Sequence, residues 1–251
     1  MWPDDMAAMP TEVTRTALFG LISDKMGNRT FLQNSPIASR DDIEVLYTGS
    51  QLSAKDETVW LAILRLGRGA PMGQPIAMNK ADLLRECGLA RTGQNWNTLE
   101  NRLRRLSNAH LEIRFKRRGK TYEAHTGLMG WIVEKETGNM FIHLQPQARE
   151  LFENLTYQPW NVRLGLHSDL ATRLLSYVCG HVHGKPHSVL LDDLRQWCGY
   201  QGRLRQFRAG CRTALKELET AGIIVADSST IRRGPAGDII SWVRVQSVVS
   251  G

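Results

Sequence analysis

Arg205, Arg208, Arg212 and Lys216 recur at intervals of three and four residues, and the segment from 203 to 216 holds five basic residues and no acidic one. One position ahead of each runs an apolar row, Leu204, Phe207, Cys211 and Leu215, which Leu218 continues. On a helix the two rows lie about 100° apart, so one side buries and the neighbouring side is cationic. Such a face suits a polyanion. An arginine forks onto guanine O6 and N7, a glutamine onto adenine N6 and N7, and each good pair discriminates by about 1–3 kcal/mol. Arg203, Arg205, Gln206 and Arg208 fall in the first turns, where a recognition helix meets base edges. Arg212 and Lys216 lie further along and suit phosphates. Arg232 and Arg233, read as part of a Ser/Gly/Pro-rich loop, suit the backbone or an adjacent minor groove. A merely solvated helix face carries a similar pattern; the matching arginines at 232–233 favour the polyanion.

A blunter version occurs earlier. Trp96, Leu99, Leu103 and Leu106 form an apolar stripe, with Arg102, Arg104 and Arg105 beside it. Asn95, Asn97 and Thr98 at the helix start suit phosphate hydrogen bonds, and Arg117, Arg118 and Lys120 crowd a turn.

Other chemistry is poorly supported. Gly119-Lys120-Thr121 has Arg114 where a phosphate-binding loop needs glycine, and Gly67, Gly69 and Gly73 are misspaced for a dinucleotide fingerprint. Cys179-Gly-His181-Val-His183, with His187 beyond, could gather a metal. His181-Val182-His183 also matches the pair with which DNA-nicking enzymes hold an ion, with Tyr200 or Tyr177 as the attacking group. That pair belongs on a sheet strand, whereas here it ends an amphipathic helix, where histidine also suits the dipole. Cys87 and Cys198 occupy corresponding apolar positions and read as core. No catalytic residue, metal or cofactor is therefore expected.

The 251-residue chain carries 32 Lys+Arg against 25 Asp+Glu, a net charge of +7. That balance favours nucleic acid first and an acidic membrane surface second. With 42% hydrophobic and 23% charged residues the chain is globular. No apolar run approaches the ~18 residues of a membrane span, and the polar start Met1-Trp2-Pro3-Asp4-Asp5 does not resemble an export leader. Four cysteines without a C-x-x-C pair fit a reducing cytoplasm.

The elements that must position these residues occur twice. Asp82-Leu83-Leu84-Arg85-Glu86-Cys87-Gly88-Leu89 parallels Asp193-Leu194-Arg195-Gln196-Trp197-Cys198-Gly199-Tyr200, and Leu103 and Leu106 parallel Leu215 and Leu218. Each copy opens with a helix, 54–68 and 169–182, the second capped by Ser168 and Asp169. A short apolar strand follows, 75–78 and 188–191. Then come a short helix ended by glycine, 80–87 and 192–198, and a longer helix, 95–107 and 203–219. Each copy closes on a hairpin, 111–116 with 121–124, and 223–226 with 239–245. This order predicts an α+β fold of tandem winged helix-turn-helix domains. The expected division is an extension at 1–52 packed on the first unit, units at 53–145 and 169–251, and a connector at 146–168. The unit at 169–251 is expected to be the main DNA reader. Within the connecting region, Gly130–Glu134 and Met140–Leu144 read as an extra hairpin. Pro146 suits the start of a helix carrying Ala148, Leu151, Phe152 and Leu155. Thr11 reads as the cap of a short helix reaching Phe19, and Ile43–Tyr47 as a strand.

Several stretches resemble the TrfA family of plasmid replication initiators. They are Trp2-Pro3-Asp4-Asp5-Met6 with Met9-Pro10, Arg15-Thr16-Ala17-Leu18-Phe19, and Ile43-Glu44-Val45-Leu46-Tyr47-Thr48-Gly49 with Leu52. Trp197-Cys198-Gly199 and Cys211-Arg212-Thr213-Ala214-Leu215-Lys216-Glu217-Leu218 also match. The resemblance implies binding to directly repeated double-stranded origin sites (iterons), with the C-terminal winged helix making most base contacts. It implies opening of an AT-rich element, with single-stranded origin DNA as a further ligand, and recruitment of the host replicative helicase and initiator. It also implies a monomer–dimer equilibrium in which monomers bind. Only Gln51-Leu52-Ser53 resembles the family's clamp-binding peptide, so that interaction is not expected. A winged-helix transcription repressor shares the same DNA chemistry and is the alternative.

Overall fold

A computed structural model describes residues 3–22, 29–40, 43–71, 73–145 and 152–246, with the side chain of Arg117 left aside. Pro146, Ala148 and Leu151 of the expected connector helix lie outside these residues.

The chain opens with strand β1 (Met6–Pro10), a single turn α1 (Thr11–Thr14) and the short strand β2 (Phe19–Gly20). The helix expected to reach Phe19 therefore stops at Thr14: the Thr14 and Thr16 hydroxyls donate to nearby carbonyls, the local competition that ends helices. Strands β3 (Phe31–Pro36), β4 (Ile43–Ser50) and β5 (Leu52–Ser53) follow. β4 alternates strictly, with Ile43, Val45 and Tyr47 buried, as a half-covered strand requires.

Helix α2 (Ala54–Leu66) starts at a capping box: the Ser53 hydroxyl accepts from the Asp56 backbone N–H, and the Asp56 carboxylate accepts from that of Ser53. Next come β6 (Ile76–Asn79), α3 (Lys80–Glu86) and α4 (Gly93–Ser107), the last capped by Thr92. Strands β7 (His110–Arg117), β8 (Lys120–Gly127), β9 (Met129–Val133) and β10 (Asn139–Leu144) complete the first half. Then follow β11 (Leu155–Pro159), α5 (Trp160–Gly165), and α6 (Asp169–Cys179) with Ser168 as cap. Leu155 thus begins a strand rather than continuing a helix, because it is paired to β1. The chain ends with β12 (Pro186–Leu190), α7 (Leu191–Trp197), α8 (Leu204–Thr220), β13 (Thr230–Gly234) and β14 (Gly237–Val243). The expected strand at 223–226 is reduced to a single bridge, Ile224 to Arg244, and the hairpin starts later, so Arg232 and Arg233 lie in a strand.

Two three-stranded sheets have matching order, β6-β10-β9 and β12-β14-β13. In each, the strand before the short helix pairs with the second arm of a hairpin. The hairpin matching β13–β14 is therefore β9–β10, not β7–β8. β7–β8, expected as the first wing, joins β3 and β4 in a separate sheet of order β3-β4-β7-β8. Arg118 (φ 48°) and Gly119 (φ 73°) turn this hairpin between the paired Arg117 and Lys120. Both central residues are left-handed, as in the tight turns that match strand twist.

Two apolar cores form. One gathers Val59, Leu61, Ile63, Leu99, Leu103 and Leu106 with the inward residues of β4 and β7. The other gathers Leu174, Val178, Leu194, Phe207, Cys211, Leu215, Leu218, Ile240 and Trp242. The N-terminal stretch touches both cores rather than the first alone. Ala7 and Met9 belong to the first core, while the Arg173 guanidinium of α6 donates to the carbonyls of Thr14 and Thr16. Trp197 Nε1 donates to the Ser39 carbonyl at 3.2 Å. Gly199 (φ 61°) passes so close that a Cβ there would lie 2.8 Å from the Gly20 Cα.

Between the cores lies a buried polar knot. Arg163 and Glu57 are both fully buried, with Nη2 3.4 Å from Oε2. Arg163 Nη1 also donates to Gln158 Oε1 and to Ser176 Oγ, and Ser176 Oγ donates to Glu57 Oε1 at 2.6 Å. Nε donates to Thr58 Oγ1 and Nη2 to the Ala54 carbonyl. Burial pulls the Arg163 pKa down while Glu57 pushes it back up. Satisfying nearly every donor is what permits so buried a charge.

Candidate nucleic-acid interface

Helix α8 buries Phe207, Cys211, Ala214, Leu215 and Leu218 against the second core. The spacing that buries this row turns the arginine row away from it. Arg203, Arg205, Gln206 and Arg212 are exposed. Their side chains make no ion pair or hydrogen bond with another described residue. Two members of the row differ. Arg208 Nη1 donates to Asp238 Oδ2 of β14 at 2.8 Å, and Lys216 Nζ donates to Glu219 and Asp227 at 3.1 and 3.4 Å. These contacts raise the Lys216 pKa; a phosphate at Lys216 would have to compete with both carboxylates.

The hairpin beside α8 sorts its two arginines. In the β13–β14 ladder Arg233 is opposite Asp238, Arg232 opposite Ile239, and Ile231 opposite Ile240. Residues directly opposite share a face and alternate residues share a face. Arg233 therefore lies on the face of Ile231, Ile240 and Asp238, toward α8, while Arg232 lies on the other face. Both are exposed. A groove of about 320 Å³ separates helix from hairpin, lined by Arg212, Lys216, Asp227 and Thr230 among others.

The first half places its candidates differently. Arg105 is not available as a surface contact: Nε and Nη2 donate to Asp56 Oδ1 at 3.1 and 2.7 Å, and the Asp56 carboxylate is fully buried. Arg29 Nη1 reaches the same carboxylate at 3.1 Å. One buried anion at the α2 capping box thus holds two guanidiniums. Arg102 is half-buried near Cys87. Arg104 pairs with Glu100 one turn earlier. Asn95 Nδ2 donates to the Ala90 carbonyl and Thr98 Oγ1 to the Gln94 carbonyl, both bonds lying within α4 and the turn before it. Asn97 is exposed. Arg118 and Lys120 are exposed, but with Arg117 they lie on the hairpin of the four-stranded sheet. The turn of the β9–β10 hairpin, Glu134-Lys135-Glu136-Thr137-Gly138, is not basic.

The Nδ1 atoms of His181 and His183 turn to backbone carbonyls. His181 Nδ1 donates to the Tyr177 carbonyl at 2.7 Å, and His183 Nδ1 to that of Val245 at 2.8 Å. The His181 and His187 rings pack at 3.8 Å between centroids. Burial, the neighbouring His187 and nearby Arg40 and Arg15 lower the His181 pKa to about 4, opposed by its bond to Tyr177. The Tyr177 hydroxyl is pushed up by burial. Among the described residues no group of three or more His, Cys, Asp or Glu could hold a metal ion. Cys87 and Cys198 are core residues whose thiols burial pushes up to about 12. Among the described residues no helix is long and apolar enough to cross a membrane.

Sequence reasoning missed Asp238, Asp227 and Glu219. A lone acid in a basic hairpin was the available signal, but its partner stands 30 residues away.

Comparison with known proteins places this architecture. Domains 2 and 3 of RctB, in one crystal structure, superimpose with a TM-score of 0.61 at 11% identity, covering 95% of this chain and 99% of that one. A second RctB structure of the same domains gives 0.55 at 11% identity, covering 92% and 96%. These likenesses concern the fold. In sequence, the plasmid replication initiator protein TrfA of Escherichia coli is 28% identical over 230 residues, which is 89% of this chain. The chain spans 59% of the length of that relative. The family model described as TrfA protein matches residues 1–230, and the chain belongs to the TrfA family of plasmid replication initiators.

Proposed function

We propose that this chain is an origin-binding initiator built of two winged-helix units in tandem, the second of which reads double-stranded DNA. The observation that carries the reading is the exposed set Arg203, Arg205, Gln206 and Arg212 at the start of α8 and along it, flanked by Arg233 on the hairpin face toward that helix. A B-DNA major groove, about 12 Å wide, admits such a helix. The first unit contributes less charge, because Arg105 is internal and the turn at 134–138 is not basic. It serves to set register beside the reading unit, so that two modules engage one duplex.

Family membership supports the further steps. The bound sites are direct repeats at a plasmid origin. Binding promotes opening of an AT-rich element, and the complex recruits the host replicative helicase and initiator. Monomers bind, and dimers hold the protein in reserve, all within the bacterial cytoplasm where the plasmid resides. The protein acts by binding rather than by catalysis.

Footprinting on the cognate origin tests the reading. Protection of regularly spaced repeats, lost on Arg205→Ala, is the expected result. Protection of a promoter alone, with the plasmid maintained in the absence of this gene, would make the chain a repressor instead.

A further inference from the structure

The hairpin β13–β14 presents an acid toward a helix that otherwise faces outward with cations. Asp238 lies opposite Arg233 in the ladder, and its Oδ2 accepts from Arg208 Nη1 at 2.8 Å. Arg208 keeps 32% of its side-chain exposure and Asp238 17%. The pair therefore sits at the rim of the α8 outward face, not in the core. The pair is part-buried, and beyond any contribution to stability it has a geometric consequence. A carboxylate holding one edge of a guanidinium removes much of the rotamer freedom of a long side chain. Because Nε is buried, the N–H groups left for a ligand are those of Nη2 and the second of Nη1, held as a fixed end-on fork. A fixed fork suits the paired acceptors of a guanine, whereas a free arginine also settles on any phosphate. The acid further places a negative charge where a phosphate would otherwise approach Arg208, a repulsive element that lowers affinity for wrong sites.

Resting on the reading of α8 as the helix in the major groove, we propose that Asp238 is a positioning residue for base selectivity. It orients Arg208 toward a guanine edge and denies it to the phosphate backbone.

The test uses the full chain and two fluorescent duplexes of about 30 base pairs, long enough for two modules a helical turn apart. One duplex is selected from a randomised pool by the wild-type protein; the other is its shuffled counterpart. Affinities are measured across a salt series. Asp238→Asn is expected to lower the selected-to-shuffled affinity ratio about tenfold, chiefly by tightening the shuffled complex. It is also expected to steepen the salt slope on the shuffled duplex by about one, as the released Arg208 takes a phosphate. Asp238→Glu keeps the charge and is expected to hold the ratio within about threefold of wild type. In an Arg208→Ala background, Asp238→Asn is expected to leave both ratio and slope unchanged, because the residue it positions is gone. Equal weakening on both duplexes by Asp238→Asn, or an undiminished effect of it in the Arg208→Ala background, overturns the positioning role alone. Wild-type protein that binds both duplexes equally and without salt dependence ends the reading of α8 itself, and the positioning role with it.

Discussion

Arg105 and Arg205 have the same side chain in comparable helices, yet their surroundings give them opposite tasks. Arg105 neutralises the buried carboxylate of Asp56, so Arg105→Ala is expected to cost stability, about 1.5–3 kcal/mol for hydrogen bonds to a charged group. The loss is not total because Arg29 still reaches Asp56. Chemical denaturation reads that cost, and the folded fraction should bind DNA as wild type does. Arg205 is exposed, so Arg205→Ala should leave the denaturation midpoint unmoved. It should lower affinity for the preferred duplex by about 1–3 kcal/mol and relax preference at one base position. Arg233→Ala is expected to weaken all duplexes alike and to reduce the salt slope by about one, which titrations at graded salt will measure. From sequence the two arginines are equivalent members of basic, amphipathic segments. Only the placement of Asp56, 49 residues before Arg105, separates them.

At the scale of elements, the three helices of each half were legible, whereas the partners of the hairpins were not. The three helices of each half follow from apolar stripes, from the cap at Ser168 and from the glycines that end the short helices, all of which act within a few residues. Both β7–β8 and β9–β10 read as hairpins, but nothing local says which one pairs with β6. That depends on Ile76, Ala77 and Met78 meeting Ile142, Phe141 and Met140 across a long sequence separation. The end of α6 carries a prediction of its own. His181, just past the end of α6, packs against the Tyr177 and His187 rings, and burial together with His187 lowers its pKa from 6.5 to about 4. Above pH 6.5 the ring is neutral in folded and unfolded chains alike and contributes no pH dependence. Between pH 6.5 and 4 the unfolded chain takes up the proton and the folded chain does not, so stability falls as pH falls. The screened loss is on the order of 2 kcal/mol. Urea denaturation at pH 7.5 and pH 4.5 should show it, and His181→Gln should flatten the dependence.

At the scale of the whole molecule, the two cores meet through charge rather than through apolar surface alone. The Glu57–Arg163 knot joins α2 of the first half to β11, α5 and α6 at the start of the second. Arg163→Ala strands a buried glutamate and is expected to cost about 3–5 kcal/mol, whereas Glu57→Gln with Arg163→Met should recover most of the loss. Calorimetric melting of the wild type and the variants measures both. A double variant as unstable as Arg163→Ala would mean that the knot holds the halves through its geometry, not merely through balanced charge.

Periodicity and capping residues were sufficient to establish the three helices of each half and the cationic face of α8, because each acts over a turn or two of chain, and short matching stretches of sequence carried the family resemblance. Which hairpin accompanies which helix, which arginines are internal, and how the N-terminal stretch touches both cores were decided by tertiary structure. Those outcomes rest on pairings between residues far apart in the chain, and a buried carboxylate will draw in whichever guanidinium the fold brings within reach.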